Sequence, residues 1–496
     1  MKQRCTFKIN FRGGIISPGD LYNTLVAASR AGVYFVSFGL RQQLLIDAPA
    51  ESIDMLQKEL KSLGAFFEID EDEFPNMMSS YPAEEVFIHN TWLSEGIYKD
   101  IFDAFDYHPR LKINVTDSNQ SFTPMLTGNI NWVASSSSHF WHLFIRFPRT
   151  NTICEWDQLV YTNDIARLSG KIENIILQNR SAFYGNAAAD GATLFLQLGE
   201  LSCITRPAER PARLPPFNLP YYEGLNRYND KYWLGIYRRD ELFSIAFLKE
   251  MCLLCLQTKV GQFCSTPWKS IIIKGIDEKD RLKWNRLLEK FQINIRHAAN
   301  ELNFQVEEHS EASLRLKQYL VRELNNEDTR TFGICIGIKS RRKSEIFSSI
   351  LVKRKPLLRI WGIELFHVYD ILCAKDYNPN ERTAFVFSAH IPKFLLAEQL
   401  RRCILSYYDS RSEKSQSALL PAAGKKEMVA VQVKEYVHQC GHCLSVYDEK
   451  SGDEFNNIRA GTAFESLPQS FVCALCEAPK IAFTKKEKSA LGLQAV

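Results

Sequence analysis

The chain has 496 residues, of which 45% are hydrophobic and 24% charged, and 61 Lys and Arg against 57 Asp and Glu leave a net charge of +4. That balance fits several globular domains and excludes a disordered or fibrous chain, a polybasic nucleic-acid binder and a charge-driven membrane binder. The basic start lacks the apolar run of a secretory signal, and the most apolar segment, 242–256, is broken by Lys249 and Glu250 and falls short of the ~20 residues that span a bilayer, so a cytoplasmic protein with no membrane span is expected.

The first 75 residues read as strand, helix, strand, strand, helix. Ser17-Pro18-Gly19-Asp20 starts the first helix, with a Ser cap, Pro at the first helical position and an acid in the first turn. Leu21, Leu25 and Ala28 share one face, and Gly32 ends the helix. Segments 33–38 and 43–46 read as strands, and a second helix carries Ile53, Leu56, Leu60 and Leu63 before Gly64. The same order returns about 220 residues later, as a strand at 232–237, a helix over 241–257, a strand at 270–273 and a helix near 284–291. Each half is followed by roughly 100 residues of mixed character, so the pattern predicts a duplicated pair of a small and a larger α+β domain.

The boundaries follow from composition. Residues 1–78 form the first half-domain, 79–190 the first larger domain, 229–308 the second half-domain and 309–412 the second larger domain. Residues 191–228 are expected to form a linker arm, and its Pro-rich stretch 206–220, with Pro207, Pro211 and Pro220, to lack regular helix or sheet because proline fixes φ and removes donors. A second linker, 413–433, is rich in Ser, Ala and charge and shows no periodicity, and 434–485 forms a last small domain.

Thirteen cysteines in a reducing compartment point to metal or redox chemistry rather than disulfides. One cluster has purposeful spacing: Cys440-Gly441-His442-Cys443, then 29 residues, then Cys473-Ala474-Leu475-Cys476. Two such turns supply four thiolates in tetrahedral array, which suits zinc or iron equally. Between and after them stand Tyr447-Asp448, Gly452-Asp453, Gly461-Thr462, Phe464, Leu467-Pro468, Phe471 and Pro479-Lys480. At these offsets the segment resembles rubredoxin over about 50 residues. The resemblance implies one iron ion, Fe3+/Fe2+, held by Cys440, Cys443, Cys473 and Cys476 for one-electron transfer. It also implies an aromatic shell of Tyr447, Phe464 and Phe471 that keeps water off the sulfurs. Leu444 and Glu477 stand where that family has Gly after each knuckle, Ala474 replaces a Pro, and Phe471 takes a common Trp position. Leu and Glu are poorly suited to the positive φ that such a Gly often adopts. Six acids against three bases from Cys440 to Phe483 make the module mildly acidic, so a basic surface would steer a partner to it.

In the larger part, Lys8-Ile9-Asn10-Phe11-Arg12-Gly13-Gly14, Phe38-Gly39-Leu40-Arg41-Gln42-Gln43 and the later Cys264-Ser265-Thr266-Pro267-Trp268-Lys269 occur in an order that resembles the ferredoxin-like half-domains of sulfite and nitrite reductases, over about 400 residues. That family holds siroheme and a four-iron cluster through basic residues and two cysteine pairs. Here the cluster positions read Cys335, Arg341, His390 and Phe394, and the strand arginines are replaced by Ser37 and Cys264. The four-iron cluster is therefore expected to be absent and siroheme is left open. The basic runs 339–343 and 353–355 fall where the resemblance places anionic cofactor or substrate, with a solvated turn and helix end as the alternative. Cys252 and Cys255, in an apolar helix, are expected to be core thiols, and Cys5, Cys154, Cys203, Cys373 and Cys403 to be isolated.

The expected function is an iron-binding electron carrier on a reductase-like scaffold, served by a reductase donor and an acceptor protein. It is an electron carrier rather than an enzyme unless siroheme is bound. The alternatives are a siroheme-dependent reductase with a built-in rubredoxin donor, and a structural four-cysteine zinc module.

Overall fold

The computed structural model describes residues 4–88, 91–199, 203–341, 346–360, 363–381, 383–419, 436–453, 456 and 458–488. It divides into two compact units, Met1–Lys414 and Ser415–Val496.

In the first unit, local signals place the opening elements where expected. Ser17 Oγ accepts the Asp20 N–H at 3.4 Å, the helix Pro18–Arg30 follows, and Leu21, Leu25 and Ala28 are fully buried. The second helix, Ile53–Ser62, buries Leu56 and Leu60 but stops before Leu63, which stays 45% exposed on the turn into Gly64. Leu63 is thus not a core residue as its spacing suggested.

Two five-stranded sheets repeat one arrangement. The first runs Phe243–Ser244, Phe35–Phe38, Leu44–Pro49, Arg4–Ile9, Phe67–Ile69; the second runs Gly224–Tyr228, Lys231–Ile236, Ile271–Ile276, Phe263–Ser265, Ile15–Ile16. Each takes its short edge strand from the other half of the sequence. Phe243 and Ser244 pair with Val36 and Phe35, and Ile15 and Ile16 pair with Cys264 and Phe263. The helix expected from residue 241 therefore begins at Ile245, because 243–244 is used as a strand and Glu241 turns the chain at φ +62°. The helices Pro18–Arg30 and Ile245–Gln257 share one apolar core that also holds Phe7, Phe38, Leu234, Ile273 and Trp284. Cys252 and Cys255 lie in that core, as expected of apolar thiols.

The larger α+β parts also repeat. In the first, the strands Met78–Ser79, Ile113–Thr116 and Ile130–Ala134 are parallel and Phe140–Arg146 and Gln158–Tyr161 continue antiparallel. In the second, Phe304–Val306, Ile336–Lys339 and Ile350–Ile360 are parallel, followed by antiparallel Ile363–Ala374 and Ala384–Pro392. Burial on one face by the helices Ile165–Gln178 and Glu311–Asn326 explains the apolar runs in the central strands.

Other expectations are corrected as well. The arm 191–228 is not a bare linker: it opens with the helix Gly191–Gln197 and ends in Gly224–Tyr228, a strand of the second small sheet. Its Pro-rich stretch enters a sheet at Thr205–Pro207, an edge strand against Gln158–Val160 where a missing donor faces outward at no cost. The start of the linker 413–433 is not aperiodic coil, since the helix from Lys393 runs 27 residues to Leu419, just before Pro421. Cys373 and Cys403 are not isolated; both are buried with Sγ atoms 3.1 Å apart. Most of the linker 413–433 lies outside the described residues, as do Arg342 and Lys343 of the first basic run. The second run, 353–355, sits within the strand Ile350–Ile360, with Lys355 paired to Asp370, rather than at a helix end. Among the described residues no helix is long and apolar enough to cross a membrane.

In the second unit, Tyr436–Cys440 pairs with Val446–Tyr447 on one side and with Phe483–Glu487 on the other. The closing strand passes the expected limit at 485, and Lys488 is buried beside Asp448 at 2.8 Å. Lys485, Lys486 and Lys488 offset much of the acidity counted up to residue 483.

Candidate metal centre

Two backbone turns build the centre, and they share one hydrogen-bond frame. In the first, the Cys440 N–H donates to Ser445 O at 2.8 Å and the Leu444 N–H to Cys440 O at 3.0 Å. In the second, the Cys473 N–H donates to Ala478 O at 2.8 Å and the Glu477 N–H to Cys473 O at 2.9 Å. Folding back this tightly needs a left-handed residue after the second cysteine of each turn. Leu444 and Glu477 take that role despite their side chains.

The frame brings all four expected ligand atoms together. The Sγ atoms of Cys440, Cys443, Cys473 and Cys476 lie within 4.8 Å of one another, with Cys440–Cys476 at 3.7 Å and Cys443–Cys473 at 3.5 Å. Metal–sulfur bonds of ~2.3 Å at tetrahedral angles demand sulfur–sulfur edges of about 3.8 Å, so this donor set fits one metal ion. Among the described residues no other group of three or more Cys, His, Asp or Glu side chains converges in this way.

The four thiols are electrostatically unequal. Cys443 is held below the ordinary thiol range, chiefly by the Ser445 hydroxyl and its backbone N–H. Burial opposes ionisation of Cys473, but hydrogen bonds from Ser445 Oγ and the N–H groups of Leu475 and Cys476 bring it down to about 6. Cys476 accepts the Ala478 N–H, which favours its thiolate, yet the neighbouring thiols push it up to about 12. Sulfurs this close do not all ionise by themselves, and a bound cation is what makes four thiolates compatible.

Burial is split between the turns. Cys440 and Cys473 are buried, while Cys443 and Cys476 are exposed. Tyr447, Phe464 and Phe471 form an aromatic cluster with ring centroids 5.7 to 6.0 Å apart, next to a separate cluster of Cys440, Cys473 and Ala478, and Phe483 packs against both. Two members had no sequence signal assigned to them. Phe483 packs on both Phe464 and Phe471, and His438 stacks on Phe464 at 4.0 Å. Leu444 and Leu475 are 66% and 74% exposed beside the two outer cysteines.

The scaffold motifs do structural work. Gln42 is fully buried; its Nε2 donates to Ser79 O at 3.2 Å and Ser265 O at 3.1 Å, and Ser265 Oγ donates back to Gln42 O at 2.7 Å, tying the two halves together. Arg41 donates to Asn76 O, Ile113 O and Asn114 Oδ1 at 3.0 to 3.1 Å, and Lys8 is paired with Glu68 and Asp72. Of the positions that the reductase resemblance assigns to a four-iron cluster, only Cys335 is a cysteine. It is fully buried, with Sγ 3.7 Å from Phe347 O and 3.6 Å from Ser349 Oγ, while Phe394 is 78% exposed. That donor set does not fit a four-iron cluster.

Comparison with known proteins agrees with both parts. The rubredoxin family matches residues 437–483. Rubredoxin-2 of Chlorobaculum tepidum is 47% identical over 47 residues, which cover 10% of this chain and 90% of that protein. Rubredoxin of Megasphaera elsdenii is 44% identical over 50 residues, covering 10% of this chain and 94% of its own. The structure of the Mycobacterium tuberculosis NirA protein superposes with a TM-score of 0.60 and 13% identity, covering 80% of each chain, a likeness of fold. A rubredoxin domain with a four-cysteine group implies one iron site. Through its C-terminal segment, this chain belongs to the rubredoxin family.

Proposed function

We propose that the protein is a one-electron carrier in which Cys440, Cys443, Cys473 and Cys476 hold a single iron ion, mounted on a reductase-like scaffold used for docking or assembly. The observation that carries this reading is the convergence of four sulfurs within 4.8 Å in two matching turns, inside the segment matched by the rubredoxin family. Iron in four thiolates supplies reversible one-electron transfer. The protein's own groups set the terms. Phe483, packed against the buried Cys440 and Cys473 and backed by Phe464 and Phe471, keeps water from the inner side, where charge on sulfur is most sensitive to solvent. Cys443 and Cys476 bring the other side to the surface, so a redox partner can approach within a short transfer distance. The partners are a donor reductase and an acceptor protein, and a reducing cytoplasm suits free thiolate ligands.

The scaffold's fold likeness to NirA favours a second reading, in which the iron site feeds electrons to a siroheme on the same chain. The visible spectrum and metal content of full-length protein expressed with iron and siroheme supply separate these. One iron per chain with thiolate-to-iron charge-transfer bands and no siroheme band supports the carrier. An added siroheme band with sulfite or nitrite reduction supports the second reading, and a colourless protein with one zinc overturns both.

A further inference from the structure

Ser445 stands two residues past Cys443, and its Oγ lies 3.2 Å from Cys443 Sγ and 3.0 Å from Cys473 Sγ, one sulfur from each turn. The backbone sets this position. Leu444, at φ +64°, turns the chain back, and Ser445 O is anchored by the Cys440 N–H. The matching position in the second turn is Ala478, whose carbonyl accepts the Cys473 N–H in the same way but whose side chain carries no hydroxyl. The hydroxyl therefore breaks the near-symmetry of the four-sulfur site. Ser445 is half-buried, so the protein rather than bulk water orients this group.

Among the free thiols, Cys443 can donate to Ser445 Oγ. Metal-bound sulfurs have no proton left to give, so the Ser445 O–H becomes the donor and the sulfurs become acceptors. Its single hydrogen is aimed at one sulfur at a time, with Cys473 the nearer. Reduction adds one electron, forms and breaks no bond and moves no proton. Four thiolate charges against three and then two on iron take the site from a net charge of minus one to minus two. A donor aimed at sulfur stabilises the more negative state more strongly.

We infer that Ser445 sets the potential of the centre: its hydroxyl donates to the metal-bound sulfurs of Cys443 and Cys473 and raises the midpoint potential. The inference rests on the iron-carrier reading. Its test is an optical redox titration of iron-loaded full-length protein, wild type against Ser445→Ala and Ser445→Thr. At the wild-type midpoint, Ser445→Ala is expected to show a ratio of reduced to oxidised protein lower by about three- to tenfold, roughly 30 to 60 mV at 59 mV per tenfold for one electron. The charge-transfer bands shift with it, and Ser445→Thr, which keeps the hydroxyl, stays within about twofold of wild type. If Ser445→Ala does not hold iron, Ser445→Gly replaces it as the variant without a hydroxyl. An iron-loaded variant without the hydroxyl but with an unchanged midpoint overturns the inference and leaves the carrier intact, and so does a Ser445→Thr midpoint that falls as far as that of Ser445→Ala. Wild-type protein that binds no iron overturns the carrier reading and the inference with it.

Discussion

Leu444 and Glu477 stand at equivalent places in the two metal-binding turns, and both hold the left-handed backbone, at φ +64° and +57°. The turn imposes this conformation, since each N–H must reach back to the carbonyl of the first cysteine in its own turn. A side chain in that region costs about 1–2 kcal/mol relative to glycine, part of which glycine returns through its greater freedom in the unfolded chain.

Leu444→Gly and Glu477→Gly are therefore each expected to stabilise the iron-loaded C-terminal unit by roughly 1 kcal/mol. The check is the thermal midpoint followed at the iron absorption band. Leu444 is 66% exposed, so little packing is lost with it, and a lower midpoint in both variants would refute the strain argument.

Cys473→Ser is expected to lose the charge-transfer bands and most of the iron, because a buried ligand that also anchors the second turn is removed. Cys403→Ser, in the buried Cys373–Cys403 pair of the other unit, should leave the iron content at the wild-type value. Metal analysis of both proteins decides the matter, and equal loss in the two would mean that the four-sulfur site is not the iron site.

Glu84 supplies a pH dependence in the scaffold. Burial pushes its carboxyl up to about 7 against the pull of Lys274, with Glu85, Glu95 and Asp117 adding to the rise. An acid raised in the folded state is fully tolerated below its ordinary value and destabilises as pH climbs from there to about 7. Glu84→Gln removes that loss. Its stability relative to wild type should grow between pH 5 and 8 by roughly 2 kcal/mol, at 1.36 kcal/mol per unit with an allowance for solvent. Urea unfolding of the full chain at those two pH values measures it, and a constant difference would contradict the assignment.

The exchanged strands predict that the first half-domain does not fold by itself. A fragment of residues 1–78 lacks Phe243 and Ser244, so the edge at Phe35–Phe38 is open and Phe38 loses its edge-to-face partner Phe243 at 5.3 Å. Circular dichroism should show no cooperative melting for it. In the full chain, Phe243→Ala should cost about 3–5 kcal/mol, since Phe243 is fully buried.

Several features were legible in the sequence because they are local. Ser17 and Pro18 announce a helix start whatever surrounds them, and Leu21, Leu25 and Ala28 recur with the helical period. The spacing of Cys440, Cys443, Cys473 and Cys476, with Tyr447, Phe464 and Phe471 between them, specifies a four-sulfur site within one short segment. The apolar setting of Cys252 and Cys255 identified them as core thiols.

Other features depend on where distant segments meet. Nothing local in 243–244 distinguishes the end of a helix from a strand; Val36 and Phe35, some 200 residues earlier, decide it by offering an unpaired edge. Pro207 reads as a breaker until an edge position with no donor to satisfy accepts it. Cys373 and Cys403 are 30 residues apart in sequence and meet only when a helix covers the sheet. The placement of Ser445 Oγ between sulfurs of two different turns follows from both turns closing together. By itself the sequence determined which groups could bind a metal, through residue type and spacing. Only the tertiary structure decided which donors surround those groups and which strands complete each sheet, because long-range pairing and hydrogen-bond geometry exist only in the folded chain.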